Sequence, residues 1–340
     1  MRAVVFDQFS GPLSIRSVPD PSPARHGAVI EVAATGLCRS DWHGWRGHDS
    51  GIALPHVPGH ELAGRIAALG PDVTRWRVGD RVTVPFICAC GRCSSCAAGL
   101  QTVCENQTQP GFTHWGSFAD YVALDHADVN LVALPDDLGF DTAAVLGCRV
   151  ATSYRAVVTL GRVAPGEWVA VHGCGGVGLS AVAIAAAAGA RVVAVDISEQ
   201  ALDLARSLGA EAATTDARAV VDLTGGGAHL SLDALGSAQT CAGSINSLRR
   251  RGRHVQVGLF TEDPAVPMAR VIAYELEVLG SHGLAAHGYP ALLGMVASGR
   301  LPVQRMITRR IPLGEAAAAL AEMDSVPGNG VTVIEPALGG

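Results

Sequence analysis

Lysine is missing altogether from the 340 residues, so all 25 basic side chains are arginine. That removes any chemistry built on a lysine Schiff base or a lysine proton donor. An excess of positive charge is missing too: the formal net charge is -6, which leaves no global field to hold nucleic acid or an anionic membrane. Small-molecule partners are the expectation. Long apolar runs are also lacking. Ala3-Val4-Val5-Phe6 ends at Asp7, too short for a secretory signal, and "LSAVAIAAAAGA" from Leu179 falls short of a membrane span, so the expected location is cytoplasmic. What remains, 49% hydrophobic and 16% charged, suits a chain of two domains with a large core.

Against these absences, "CACGRCSSCAAGLQTVC", residues 88–104, holds five of the nine cysteines. In a reducing compartment, clustered cysteines bind metal or do catalysis more often than they form disulfides. Cys90, Cys93, Cys96 and Cys104 stand as C-x2-C-x2-C-x7-C, with Gly91 and Gly99 at the turns. Four thiolates around Zn2+ close a tetrahedral site with no position for a substrate, so this zinc is structural. Cys88, separated from Cys90 by a single residue and so less comfortably spaced for chelation, is the spare.

A second signal is "WVAVHGCGGVGLSAVAIAAAAGARVVAVD", residues 168–196. A β-rich run meets Gly173-x-Gly175-x-x-Gly178, followed by an alanine-rich helix, a stop at Gly189 and a second strand ending at Asp196. Strand, glycine turn, helix, strand and a carboxylate 18 residues after Gly178 form a dinucleotide fingerprint. The glycines, Gly176 included, admit a pyrophosphate at the helix N-terminus, and Asp196 accepts hydrogen bonds from ribose hydroxyls. NAD is the expected cofactor.

Beyond Asp196 the pattern continues with a helix near 199–208 and strand-like runs from His229, Arg253 and Leu276, which predicts a doubly wound parallel sheet. Before residue 150, "AVIEVAATG", "AGRIAAL" and "DRVTVPF" are short β runs broken by glycine and proline, a mostly β domain. Arg249-Arg250-Arg251-Gly252-Arg253 has no aromatic interleaving and precedes a strand, so it reads as a solvated turn and not a nucleic-acid patch.

Seven stretches in order, "GLCRSDWH" (36–43), "GHELAG" (59–64), "VGDRV" (78–82), the cysteine cluster, "GSFADY" (116–121), "GCRVATSY" (147–154) and the Gly173 loop, resemble the medium-chain, zinc-dependent alcohol dehydrogenases along nearly the whole chain. The resemblance implies a GroES-like catalytic domain over 1–149 and 284–340 around a Rossmann-type coenzyme domain over 150–283. It also implies a second, catalytic zinc on Cys38, His60 and Cys148, residues too scattered for local spacing to find. Singly, each has a plainer reading as a buried thiol or one of twelve histidines. Two zinc ions per chain are thus expected.

By the same resemblance, a bound alcohol loses its proton through Ser40 and the coenzyme ribose to His43. Asp41 supports His60, Glu61 visits the metal, Arg39 meets the pyrophosphate, and Thr152 and Val177 lie against nicotinamide. Phe86, Trp115 and Phe118 suggest an apolar substrate pocket. Two features of the family pattern are absent: an arginine near the C-terminus, where "GNGVTVIEP" has none, and a basic residue after the ribose carboxylate, where "ISEQAL" stands. The expected activity is interconversion of an alcohol with its aldehyde or ketone, by a homodimer or homotetramer. A polyol or amino-alcohol substrate, a zinc-free quinone or enoyl reductase of the same superfamily, and a non-enzymatic zinc-ribbon binding protein are the alternatives.

Overall fold

The structure, a computed structural model, describes residues 1–260, 262–325 and 330–338. Gly328 and Asn329, which open the C-terminal stretch lacking arginine, lie outside the described residues. Contacts divide the chain into one unit of Met1–Cys148, Gly283–Pro290 and Ile307–Gly340 and a second of Arg149–His282 and Ala291–Met306.

The first unit is built on a mixed sheet. Its strands run in the order Ile307–Pro312, Val331–Glu335, Ala28–Leu37, Glu61–Leu69, Arg81–Thr83 and Val132–Ala133, with Tyr121–Leu124 also pairing with Ala28–Leu37. Ala28–Leu37 is the hub, and nine of its ten residues are buried or half-buried, because strands pair on its flanks and apolar clusters lie against it. Ile30, Val32, Leu62, Ile66 and Val122 form one of those clusters, and Phe6, Trp42, Trp45, Phe112 and Phe118 belong to another. Pairing within the sheet sets Gly36 opposite Glu61. The strand end that follows Gly36 delivers Cys38, and the strand that begins at Glu61 is preceded by His60.

In the second unit six strands are all parallel, in the order Ala212–Thr214, Arg191–Val195, Trp168–His172, Ala228–Asp233, Leu248–Gln256 and Glu277–Gly280. The order reverses between Trp168–His172 and Ala228–Asp233, the switch point at which a Rossmann-type sheet binds its ligand. Every residue of Trp168–His172 is buried, as expected for a strand covered on both faces. The following helix, Gly176–Ala187, is buried continuously from Gly178 to Ala185; its apolar residues have no polar face to alternate with, so it packs as a core helix. Ser198 caps the next helix, Glu199–Ser207, by accepting from the Ala201 amide at 3.3 Å.

The arginine run is not the turn its composition suggests. It lies inside Leu248–Gln256, where Ala228 pairs with Leu248 but Leu230 pairs with Arg253. Two steps on one strand face five on the other, so the segment bulges out, with Arg251 at φ 61°.

Candidate active site

His60 follows Gly59, which has φ 108° and where a Cβ would stand 2.6 Å from the Phe118 ring, so only glycine permits this approach. The imidazole is fully buried. Its Nδ1 lies 2.8 Å from Asp41 Oδ1, which also accepts from the Gly59 amide at 3.1 Å, while Oδ2 accepts from the Cys38 amide at 2.9 Å. Asp41 thus ties the start of the helix Arg39–Trp45 to the two chain segments carrying Cys38 and His60. With Nδ1–H donated to a carboxylate, the lone pair is on Nε2.

Cys148 arrives on a π-helical turn, Leu146–Val150, a form common at functional sites. The Tyr289 hydroxyl donates to the carbonyls of Leu146 and Gly147 at 3.2 and 3.3 Å, and the Phe86 amide donates to that of Gly147 at 3.1 Å. The result is one buried group: ligand atoms of Cys38, His60, Glu61 and Cys148 all lie within 4.8 Å of one another. Phe86 and Phe112 wall the His60 ring, with centroids at 6.1 and 5.2 Å.

The second cluster brings the sulfurs of Cys90, Cys93, Cys96 and Cys104 within 4.8 Å. Amides of Cys90 and Asn106 point at the Cys104 sulfur at 3.3 and 3.4 Å. Backbone amides, that of Arg92 first, draw the Cys90 thiol down to about 6, whereas burial pushes Cys96 up to about 12. Cys88 is outside this group: it is buried, donates to the Pro85 carbonyl at 3.6 Å and is pushed to about 12 by burial. All nine cysteines are thiols and not disulfides.

The glycine loop is tight at one end and open at the other. A Cβ on Gly178 would sit 1.7 Å from the Gly173 carbonyl oxygen, yet at Gly175 nothing lies within 4 Å, which leaves room against the backbone. Asp196 faces this loop: Oδ2 accepts from the Cys174 amide at 2.6 Å and Oδ1 from Ser198 at 2.8 Å. Val177 lends its carbonyl to the Ser153 hydroxyl at 2.7 Å, and Thr152 Oγ1 is buried without a hydrogen-bond partner.

Other expected residues stand elsewhere. The Arg39 guanidinium stacks 4.0 Å over Trp42 and bonds Met323 and Asp324. Phe118 has no exposed surface and packs in the apolar core, so it walls no pocket, and Trp115 donates to the Pro55 carbonyl at 2.9 Å. Ser40 Oγ is 3.8 Å from the Cys38 sulfur. His43 Nδ1 meets His48 Nδ1 at 2.8 Å. Neither His48 nor Phe112 was singled out in the sequence; "WHGWRGHD" does hold both histidines, but nothing in that spacing says the loop folds back.

Fold and site together define an oxidoreductase of the zinc-binding dehydrogenase class. Residues 24–136 match the family described as "Alcohol dehydrogenase GroES-like domain", and residues 176–298 match "Zinc-binding dehydrogenase". An alcohol dehydrogenase of Geobacillus stearothermophilus is 37% identical over 83% of this chain and 84% of its own length. An L-threonine 3-dehydrogenase of Streptomyces coelicolor is 32% identical over 98% of each. Among solved structures, the alcohol dehydrogenase TADH from Thermus sp. ATN1 superposes with a TM-score of 0.90 at 31% identity, covering 98% of this chain and 99% of that one. The chain belongs to the medium-chain, zinc-dependent alcohol dehydrogenase family.

Proposed function

We propose that the protein interconverts an alcohol and its aldehyde or ketone, using NAD as hydride carrier and two zinc ions per chain. One observation carries the reading. His60 Nε2 is fully buried, has no hydrogen-bond partner, and belongs to a group with two cysteines. A buried lone pair left unpaired costs about 1–3 kcal/mol, and a metal ion removes that cost. Two thiolates and one imidazole fit Zn2+ with a position left for substrate, the set of which alcohol dehydrogenase is the type example. The four-cysteine cluster fits a closed structural site.

When bound, zinc polarises the substrate oxygen and the nicotinamide takes up or gives back the hydride. The chain's own groups do the rest. Asp41 fixes the His60 ring so that Nε2 faces the cluster. Ser40, beside Cys38, takes the hydroxyl proton and passes it outward to His43, with His48 the next acceptor towards solvent. Burial, then His48 and Arg39, holds the His43 ring below 6.5, so it stays neutral and able to accept. Glu61 lies close enough to take a cluster position during ligand exchange. Phe86 and Phe112 keep water from the reacting oxygen. Asp196 and the loop Gly173, Gly175, Gly176 and Gly178 receive the dinucleotide, with Thr152 and Val177 toward its nicotinamide. For Arg39 to reach a pyrophosphate it must first leave Asp324.

Domain limits near 149 and 284, a cytoplasmic location and assembly as a homodimer or homotetramer belong to the same reading. No helix among the described residues is long and apolar enough to cross a membrane. A panel of alcohols, polyols, amino alcohols including threonine, and carbonyls, assayed by nicotinamide absorbance alongside elemental analysis, is the test. Turnover with two zinc ions per chain is expected. An active chain with one zinc or none, or no turnover anywhere in the panel, would sink the proposal.

A further inference from the structure

The proposed reaction uses the carboxyl ends of the six parallel strands and leaves their opposite ends idle. There, around the starts of Trp168–His172, Ala228–Asp233, Leu248–Gln256 and Glu277–Gly280, lies a cavity of about 420 Å3 lined by Arg162, Arg249, Arg250, Arg251 and Arg253. The bulge in Leu248–Gln256 makes this possible, because side chains of a regular strand would alternate between faces.

Three of the five arginines have carboxylates: Arg253 bonds Glu167 at 2.6 Å, Arg162 bonds Glu277 at 2.5 Å, and Arg251 bonds Glu275 at 2.8 Å. Arg249 and Arg250 have none among the described residues. Arg250 lies 4.6 Å over the Tyr274 ring, and Arg249 Nη1 meets His229 Nε2 at 2.5 Å. That last contact is a conflict. His229 Nδ1 accepts from the Trp168 amide at 2.9 Å, so the proton of the neutral ring is on Nε2. Burial, then Arg249, holds the His229 pKa below 6.5, which keeps the ring neutral near pH 7. Two donors therefore face each other with no acceptor between them, beside a second guanidinium without a counter-ion.

We propose that this cavity binds a small oxyanion of two or more negative charges, a phosphate or pyrophosphate group, held by Arg249, Arg250 and the Nε2–H of His229. An oxyanion supplies the missing acceptor, and planar guanidinium groups bind its oxygens in pairs. Five cations against three carboxylates leave an excess of two, which matches a dianion. A nucleic acid is the poorer occupant: the chain is acidic overall, and the Tyr274 ring under Arg250 is already covered by Arg250 and Arg270.

Calorimetric titration of the full-length protein with inorganic phosphate, pyrophosphate and a single-stranded oligonucleotide, at fixed ionic strength, tests this. Saturable one-site binding of phosphate or pyrophosphate is expected, and Arg249→Ala with Arg250→Ala should weaken it at least about tenfold, the worth of one charge-assisted bond. Alcohol turnover should be unchanged, since neither residue touches the proposed reaction. Should the double variant fail to fold, Arg250→Gln, an exposed position, should still weaken binding severalfold. Absence of saturable binding, binding equal in wild type and variants (an anion in the glycine loop instead), or binding of the oligonucleotide alone would each overturn the proposal.

Discussion

Replacing Asp196 by serine should abolish a strong preference for NAD over NADP. The carboxylate stands at the end of Arg191–Val195, facing the glycine loop, where ribose hydroxyls would donate to it. NADP carries a 2'-phosphate of about -2 charge in that place. Taking about 5 Å between the charges and an effective dielectric between 20 and 80, repulsion is about 2–7 kcal/mol. Asp196 is half-buried, so screening brings this toward the lower end, about 3 kcal/mol, or roughly a hundredfold. No basic residue stands in "ISEQ" to offset it, and Arg218, beyond the next strand, is bound to Asp216 at 3.0 Å. The structure adds a second effect. Asp196 also accepts from the amides of Cys174 and Ser198, so serine should loosen the loop as well, lowering stability by about 1–3 kcal/mol. The substitution Asp196→Asn separates the two effects: it removes the charge but can still accept one amide. The assay is kcat/KM with each coenzyme, by nicotinamide absorbance, with a thermal melt in parallel. A wild-type enzyme equally efficient with NADP, or a serine variant whose coenzyme ratio does not move, would refute the reasoning.

Cys96→Ala should release one zinc per chain and cost about 3 kcal/mol, roughly 6–12 °C in Tm, whereas Cys148→Ala should abolish turnover with little change in the melt; full activity in the Cys148 variant would contradict its role. His43→Gln should slow oxidation about ten- to a thousandfold, most at low pH. Because His48 and Arg39 lower the His43 pKa while Cys38 and Asp324 raise it, His48→Gln should move the acid limb of kcat/KM upward, and an unmoved limb would take His48 out of the path. Burial, helped by His254, holds His172 at about 3, against 6.5 for the free ring. The unfolded chain therefore takes up a proton that the folded one refuses. Stability is intact above pH 6.5 and falls on acidification toward pH 3, by up to about 5 kcal/mol at 1.36 kcal/mol per unit. His172→Gln should flatten that part of a stability profile measured by denaturant melts across pH.

The cysteine cluster and the glycine loop were legible in the sequence because their geometry is local: a few residues of spacing, with glycines at the turns, set where sulfurs and amides point. The parallel sheet was legible for a related reason, since alternating strand and helix periods leave few topologies. Resemblance, not spacing, supplied Cys38, His60 and Cys148, which lie 22 and 88 positions apart; only the pairing of Ala28–Leu37 with Glu61–Leu69 and the π-helical turn at Leu146–Val150 bring them together. Tertiary structure likewise sent Phe118 into the core while leaving Phe86 against His60, folded His48 back onto His43, and turned Arg249–Arg253 from a solvated turn into the wall of a cavity. Periodicity says which side chains share an element, but strand register and packing set the distances between elements, and those depend on the whole chain at once.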